Sequence, residues 1–234
     1  MNHALDGSRL KVERAREHLG VLTCELGKYL ASTPYKFVVS TESGTVTATL
    51  KITIAPPLYL SAIVGDCVSN LSAALDYIAW QLAIRYWNKK PVAGKDKLYF
   101  FWPNGLNKNG MDLSVLDFTK KFQPEQNKYL RILKEIVNED KHRLPLLTLA
   151  HVYGREISLS VRAGDVVTEG IASSAHSVSI YVGEGVDDIK VKGDAHVFVT
   201  PQNQNLGYAP IEQTLDTIVK SVSDVVQKFE QFLS

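Results

Sequence analysis

Two clusters of polar residues interrupt helical segments that are otherwise apolar. The first lies in the long apolar stretch 58–87 and places Asp66 and Asn70 one helical turn apart. The second, 138–143, reads Asn-Glu-Asp-Lys-His-Arg. Carboxylates, amides and an imidazole inside a helical core must be paired, and they form either structural contacts or active sites. These two clusters therefore contain the candidate functional residues.

The chemistry that these side chains would carry is hydrolysis with acid–base catalysis. His142 is the candidate general acid or base, and Asp66 or Asp140 would orient its ring. Cations beside them would stabilise developing negative charge. The residues that would bind a ligand are Asn70, Asn138, Lys141 and Arg143.

The same residues also have a structural interpretation. At about 100° per residue, Asp66 and Asn70 follow one line of their helix, which could be a solvated polar seam. Arg131 and Glu135 have the spacing of a surface ion pair. Asp140 projects among apolar residues, where a carboxylate needs a partner on its own helix or on another. We expect the two helices to meet through their polar residues, as a structural clamp or as a site.

The residues of both clusters resemble a family of uncharacterised bacterial proteins. The pattern runs Gly-Asp-x-x-x-Asn-Leu-x-x-x-Leu-Asp over 65–76, followed by Asn-x-Asp-Lys-His-Arg over 138–143. That family carries a similar Asn-Leu-Arg-Ser-Ala-Leu-Asp helix and a similar Asp-Lys-His-Arg segment. Ser72 stands where the family often has arginine, so a role for that cation does not carry over. The resemblance covers about residues 58 to 145 and implies no established activity.

A second, smaller resemblance is to helical HEPN ribonucleases, which place an arginine and a histidine four to six residues apart on a helix at a dimer interface. Asn138 and His142 have a similar helical placement. The arginine is missing at that spacing, since Arg131 lies too far upstream and Arg143 follows the histidine. The resemblance implies a ribonuclease as the alternative function.

Hydrophobic periodicity predicts the elements that position these clusters. The predicted helices are 6–31, with Leu10 and Ala15 on its apolar side, 58–87, 124–143 and 210–233. Strict alternation over 45–55, with apolar residues at alternate positions from Val46 to Ile54, predicts one strand of a hairpin, and 35–41 supplies its partner. Residues 88–123 are expected to be irregular, and 155–200 to form strands.

Separate runs of helices and strands indicate an α+β fold. We expect about four main helices in a bundle, and the hairpin and later strands joined in one antiparallel sheet. Because helices from both ends of the chain would close the bundle, we predict a single domain, 1–234.

Composition limits the partners and cofactors. With 26 basic and 25 acidic residues, the net charge of +1 gives no case for nucleic acid or an anionic membrane. Polar groups interrupt 58–87, which predicts a core helix rather than a membrane span. Two scattered cysteines predict reduced thiols, with Cys67 as buried filler, in a cytoplasmic protein without an evident signal peptide. Motifs for a metal or another cofactor are not found.

Three functional hypotheses remain. The first is a noncatalytic protein, expected as a homodimer, that binds an unknown protein or small ligand and uses the polar clusters as internal clamps. The second is the ribonuclease or other hydrolase that uses His142. The third is a structural module of a defence or regulatory system, whose sheet or aromatic segment 99–103 docks another protein. The sequence favours the first, because it contains no complete catalytic constellation.

Overall fold

The structure is a computed structural model that describes residues 4–101, 110–142, 150–175, 177–183, 185–199 and 210–233. Runs of helices and antiparallel strands are separate along the chain, so the predicted α+β class is confirmed. In order, the elements are α1 (Asp6–Ala31), β1 (Tyr35–Glu42), β2 (Thr45–Ile52), α2 (Leu58–Tyr86), α3 (Leu113–Lys120), α4 (Lys128–His142), β3 (Ala150–Ala163), β4 (Val166–Ala175), β5 (Ser177–Tyr181), β6 (Asp188–Val199), α5 (Ile211–Lys228) and α6 (Glu230–Leu233).

The chain divides into two compact units. The first comprises Met1–Thr23, Ser61–Leu146 and Glu212–Ser234, and the second comprises Cys24–Leu60 and Leu147–Ile211. Helices dominate the first unit, and both sheets belong to the second. Organisation as one domain stays a prediction.

Helix α2 is buried along most of its length in the first unit. In the part of α2 that belongs to this unit, ten side chains are fully buried: Val64, Cys67, Val68, Leu71, Ala74, Leu75, Ile78, Ala79, Leu82 and Ala83. Among the described helices, α2 is the one long and apolar enough to cross a membrane, but half of its most apolar stretch is buried. Core helices of soluble proteins have the same length and composition.

Helix α1 also presents an apolar stripe, but not quite the predicted one. Ala15 and Leu22 are fully buried, and Val12 is nearly so. Leu10, expected on this side, is 64% exposed, so that prediction is wrong. It lies two positions from Val12, which places it on the other side of the helix.

The segment 88–123, expected to be irregular, contains the short helix α3, and the helix predicted over 124–143 begins later, as α4 at Lys128. Asp112 caps α3, because its side chain accepts a hydrogen bond from the Ser114 backbone N–H. Asn127 caps α4 in the same way, accepting from the N–H groups of Tyr129 and Leu130 at 3.0 and 3.1 Å. The predicted start at Pro124 is therefore wrong, since this proline lies in the turn between the two helices.

The strands form two antiparallel sheets of three strands each, and the prediction of a single sheet is wrong. The strand orders are β1-β2-β5 and β4-β3-β6. Among the described strands, β5 joins the hairpin, whereas β4 belongs to the other sheet.

The buried sides of the two sheets pack on each other inside the second unit. Alternate residues are buried on both: Val46, Ala48, Leu50, Val178 and Ile180 on the first sheet, and Ile157, Leu159 and Val161 on the second. Gly170 of β4 allows the close approach, because a Cβ there would lie 2.9 Å from Cγ1 of Ile180.

The rest of the hairpin prediction needs one correction. Strand β2 ends at Ile52, and both Ile52 and Ile54 are exposed.

The hairpin turn is the two-residue type with both central residues in the left-handed region. Ser43 has φ 47° and Gly44 has φ 75°, as a type I′ turn requires. The Gly44 carbonyl accepts hydrogen bonds from the backbone N–H groups of Val182 and Gly183, at 2.9 and 3.1 Å. The turn therefore also holds the chain just beyond β5.

Replacing Gly44 by alanine should destabilise the hairpin. The new Cβ would have an unfavourable φ and would lie 3.0 Å from the Gly183 Cα. We expect a loss of about 1–2 kcal/mol in the free energy of unfolding, measured by urea denaturation. The control is Gly20→Ala in α1, which meets no neighbour and should stabilise by about 0.5–1 kcal/mol. Equal midpoints for Gly44→Ala and the wild type would contradict this account of the turn.

Candidate functional site

The two polar clusters meet where α2 contacts α4 in the first unit. A Cβ placed on Gly65 would lie 2.6 Å from Oδ1, 2.9 Å from Oδ2 and 3.0 Å from Cγ of Asp140. The carboxylate of Asp140 therefore occupies the space that any side chain at position 65 would need. Gly65 is buried and Asp140 is half-buried. The expected meeting of the helices takes place at this pair.

The apolar stripe of α4 carries Asp140 to this position. Leu133 is fully buried, and Ile136 and Val137 are nearly so. Asp140 follows these last two residues by four and three positions, which puts it on the same face of the helix. Packing of the stripe therefore brings the carboxylate against α2, as its placement among apolar residues predicts.

Asn70 is engaged in a contact between α1 and α2. Its Oδ1 accepts a hydrogen bond from Lys11 Nζ at 3.1 Å, and its Nδ2 donates to the Asp66 backbone carbonyl at 2.8 Å. The side chain of Asp66 is exposed. The two residues therefore share a helix line, as predicted, but Asn70 is used within the fold and Asp66 faces solvent. Nothing in the sequence singles out Lys11, which is one of several cations along α1.

The remaining candidate residues lie at the end of α4. Asn138 is exposed. The side chains of Lys141 and His142, and the whole of Arg143, lie outside the described residues. The catalytic role of His142 and the binding roles of Lys141 and Arg143 stay predictions.

Asp76 has a structural role that sequence reasoning missed. Its Oδ1 accepts a hydrogen bond from the Phe100 backbone N–H at 2.9 Å, while Gln123 Nε2 donates to the Phe100 carbonyl at 3.1 Å. These bonds hold a fully buried ring, whose centroid lies 5.8 Å from that of Phe229 in an edge-to-face contact. Phe100, within the aromatic segment 99–103, is therefore a core residue. Trp102 lies outside the described residues.

The buried thiol of Cys67 is unsuited to nucleophilic chemistry at neutral pH. Burial raises the pKa of Cys67 to about 12, since the thiolate would lose its hydration. Its Sγ donates to the Ala15 carbonyl at 3.4 Å, which joins α2 to α1. Cys24 is exposed, and neither cysteine is in a disulfide. The interpretation of Cys67 as buried filler is confirmed.

The predicted ion pair between Arg131 and Glu135 is wrong. Arg131 is exposed, whereas Glu135 is half-buried, and its Oε2 is buried with no hydrogen-bond partner in the described structure. The nine ion pairs within the described residues do not include these two side chains. The same ranges contain no group of three His, Cys, Asp or Glu side chains that could hold a metal ion.

The fold and the contact between Asp140 and Gly65 define an α+β chain whose helices are joined through polar side chains. No protein-family model, no curated protein and no solved structure matches the chain. The resemblances to the bacterial family and to the HEPN ribonucleases therefore stay predictions.

In a double-mutant cycle at Gly65 and Asp140, the effect of Gly65→Ala on the free energy of unfolding should change sign. Alanine at an interior helical glycine ordinarily stabilises by about 0.5–1 kcal/mol. In the wild type, Gly65→Ala should instead destabilise by about 1–3 kcal/mol, because it displaces the carboxylate. In the Asp140→Ala background the same substitution should be stabilising. Urea denaturation of the four proteins measures this. Additive effects would show that the carboxylate does not lie against Gly65.

Removing the carboxylate of Asp76 should leave the Phe100 N–H without its acceptor. We expect Asp76→Ala to destabilise by about 1–3 kcal/mol, the range for an unsatisfied buried donor. The control is Asp117→Ala, which removes an exposed ion pair with Lys120 and should change stability by less than about 0.5 kcal/mol. Thermal unfolding gives both values, and equal shifts for the two variants would remove the assigned role of Asp76.

Proposed function

We propose that the chain is a noncatalytic protein-binding module. In this proposal the polar residues of the helices are internal clamps, and the outer face of the second sheet binds a protein partner. The contact of the Asp140 carboxylate with Gly65 is the observation that carries it. A carboxylate pressed against the backbone of a neighbouring helix supports packing rather than proton transfer to a substrate.

The other polar groups of α2 support the same interpretation. Both ends of the Asn70 amide are engaged by groups of the fold. Asp76 is bonded to the backbone of the aromatic segment. A general base must reach the proton that it removes, directly or through one water. Asp66 is exposed, so among these residues it alone has its side chain in solvent.

The outer face of the second sheet has the character of a binding surface. Val167 and Ile171 of β4 are 48% and 67% exposed, and Glu169 lies between them. Their side chains point away from the core, because the pairing places their neighbours Thr168 and Gly170 opposite the buried Val161 and Leu159. The charged side chains of Arg162, Lys190 and Lys192 lie exposed on the paired strands. An exposed apolar centre with a polar rim is typical of protein interfaces.

The proposal also includes the origin and cellular location of the protein and the packing of its helices. The resemblance to the bacterial family supports a bacterial origin, and the two thiols without disulfides support a cytoplasmic location. The four longest helices would close as a bundle, which is supported by the contacts of α2 with α1 and α4 and by the hydrogen bond from Arg16 in α1 to Ser223 in α5.

Ile171→Lys should abolish binding of the partner while leaving the fold intact, because it places a charge at the apolar centre. The matched control is Leu113→Lys, which also replaces an exposed aliphatic side chain, 73% exposed, on the first residue of α3. A partner captured by the wild type would be purified, and titration calorimetry would compare its affinity for the three proteins. We expect at least a tenfold loss for Ile171→Lys and no loss for the control.

An RNA-cleavage assay tests the alternative, catalytic function. The proposal predicts equal background activity for the wild type and for His142→Ala. Cleavage by the wild type that disappears in His142→Ala would overturn the noncatalytic assignment. Full affinity of Ile171→Lys for the partner would overturn the assignment of the binding face.

A further inference from the structure

Strand β1 forms an edge of the first sheet. It pairs with β2 on one side, and no described strand pairs with it on the other. Lys36, Ser40, Thr41 and Glu42 are exposed, and the side chain of Val39 is 38% exposed. An unpaired edge is a template for another strand unless the sequence prevents pairing.

The hairpin turn determines which backbone groups face outward. Glu42 and Thr45 flank a two-residue turn, so they form a hydrogen-bonded pair of the ladder. Because the orientation alternates along a strand, the N–H and C=O groups of Phe37, Val39 and Thr41 point away from β2. No hydrogen bond to these groups is found among the described residues.

The charges of β1 are complementary to those of a second, antiparallel copy of the same strand. Lys36 lies three residues before Val39, and Glu42 lies three residues after it. Two antiparallel copies of β1 centred on Val39 would therefore place each Lys36 opposite Glu42 of the other copy. In the same register the outward groups of Phe37 bond to Thr41 of the other copy, and the two Val39 residues bond to each other.

Neither charge has a partner of opposite sign among the described residues of the same chain. Lys36 lies directly opposite Lys51 of β2, and like charges in that position are destabilising. Glu42 lies opposite Thr45. No ion pair among the described residues includes Lys36 or Glu42. A lysine on an edge strand ordinarily discourages pairing with other strands. Here a glutamate lies on the same face, so Lys36 can form an ion pair with Glu42 of a second copy, and pairing with that copy is favoured.

We propose that the chain forms a two-fold dimer through antiparallel pairing of β1 with β1 of a second copy, in the register that is centred on Val39. The pairing joins the two copies of the first sheet into one continuous sheet. It covers the exposed Val39 side chain on one face, and it makes two Lys36–Glu42 contacts on the other. It goes beyond the proposed function, because it uses the edge of the first sheet and not the outer face of the second.

Reversal of either charge should break the dimer, and mixing the two variants should restore it. Lys36→Glu and Glu42→Lys each place like charges opposite one another at both ends of the pairing. Each should raise the dimer dissociation constant about tenfold or more in sedimentation equilibrium. In an equimolar mixture, each chain of the mixed dimer meets only opposite charges, so association should return to the wild-type level. The double variant Lys36→Glu/Glu42→Lys should also dimerise like the wild type.

The control is Lys192→Glu on β6, which makes the same change of charge in the other sheet and should leave the dissociation constant unchanged. Circular dichroism of each single variant should match the wild type, because both side chains are exposed. A wild type that is monomeric at millimolar concentration would overturn the proposal. Dimers that survive both single reversals, or a mixture that stays monomeric, would overturn it as well.

Discussion

Helix α2 can be buried along most of its length only where each polar group on its buried sides has a partner. The structure meets this requirement at two positions, since Asn70 bonds to Lys11 of α1 and Asp76 bonds to the backbone of Phe100. At a third position the contact is steric, because Gly65 leaves space for the Asp140 carboxylate of α4. Each of these contacts joins α2 to a different segment of the first unit. The polar residues of the central helix are therefore the points at which its neighbours are positioned.

This arrangement explains how polar residues that resemble an active site in the sequence can act as packing contacts in the fold, as Asn70, Asp76 and Asp140 do. A carboxylate between apolar helices is costly unless its neighbours fit it closely, so it permits few alternative packings. A rotation of α4 about its axis would move the carboxylate of Asp140 from the space above Gly65 onto apolar surface. We infer that the contact selects the face that α4 presents to α2. The binding surface that we propose lies instead on the second sheet, where Ile171 is exposed.

The sequence predicts features that depend on local pattern, and it does not predict contacts between distant segments. The hairpin follows from strict alternation over 45–55, preceded by a turn and a partner strand, and Asp140 is placed on an apolar face by its spacing from neighbouring residues. The contact of Gly65 with Asp140 could not be predicted, because glycine has no side chain whose chemistry would suggest a partner and because the two residues are far apart in sequence. The division of the strands into two sheets is equally nonlocal. The caps at Asp112 and Asn127 were readable signals that the pattern of apolar residues obscured.

The contact between α2 and α4 can be measured directly by cross-linking. In a Cys24→Ser background, Gly65→Cys combined with Asp140→Cys places two thiols where a Cβ at position 65 lies 3.0 Å from the Cγ of the native aspartate. Mild oxidation should therefore form an intramolecular disulfide in nearly all molecules, detected by peptide mapping with mass spectrometry. The pair Gly20→Cys with Asp140→Cys should stay reduced. If the folded Gly65→Cys/Asp140→Cys protein keeps two thiols that react with alkylating reagent and form no disulfide, the two polar clusters do not meet as described.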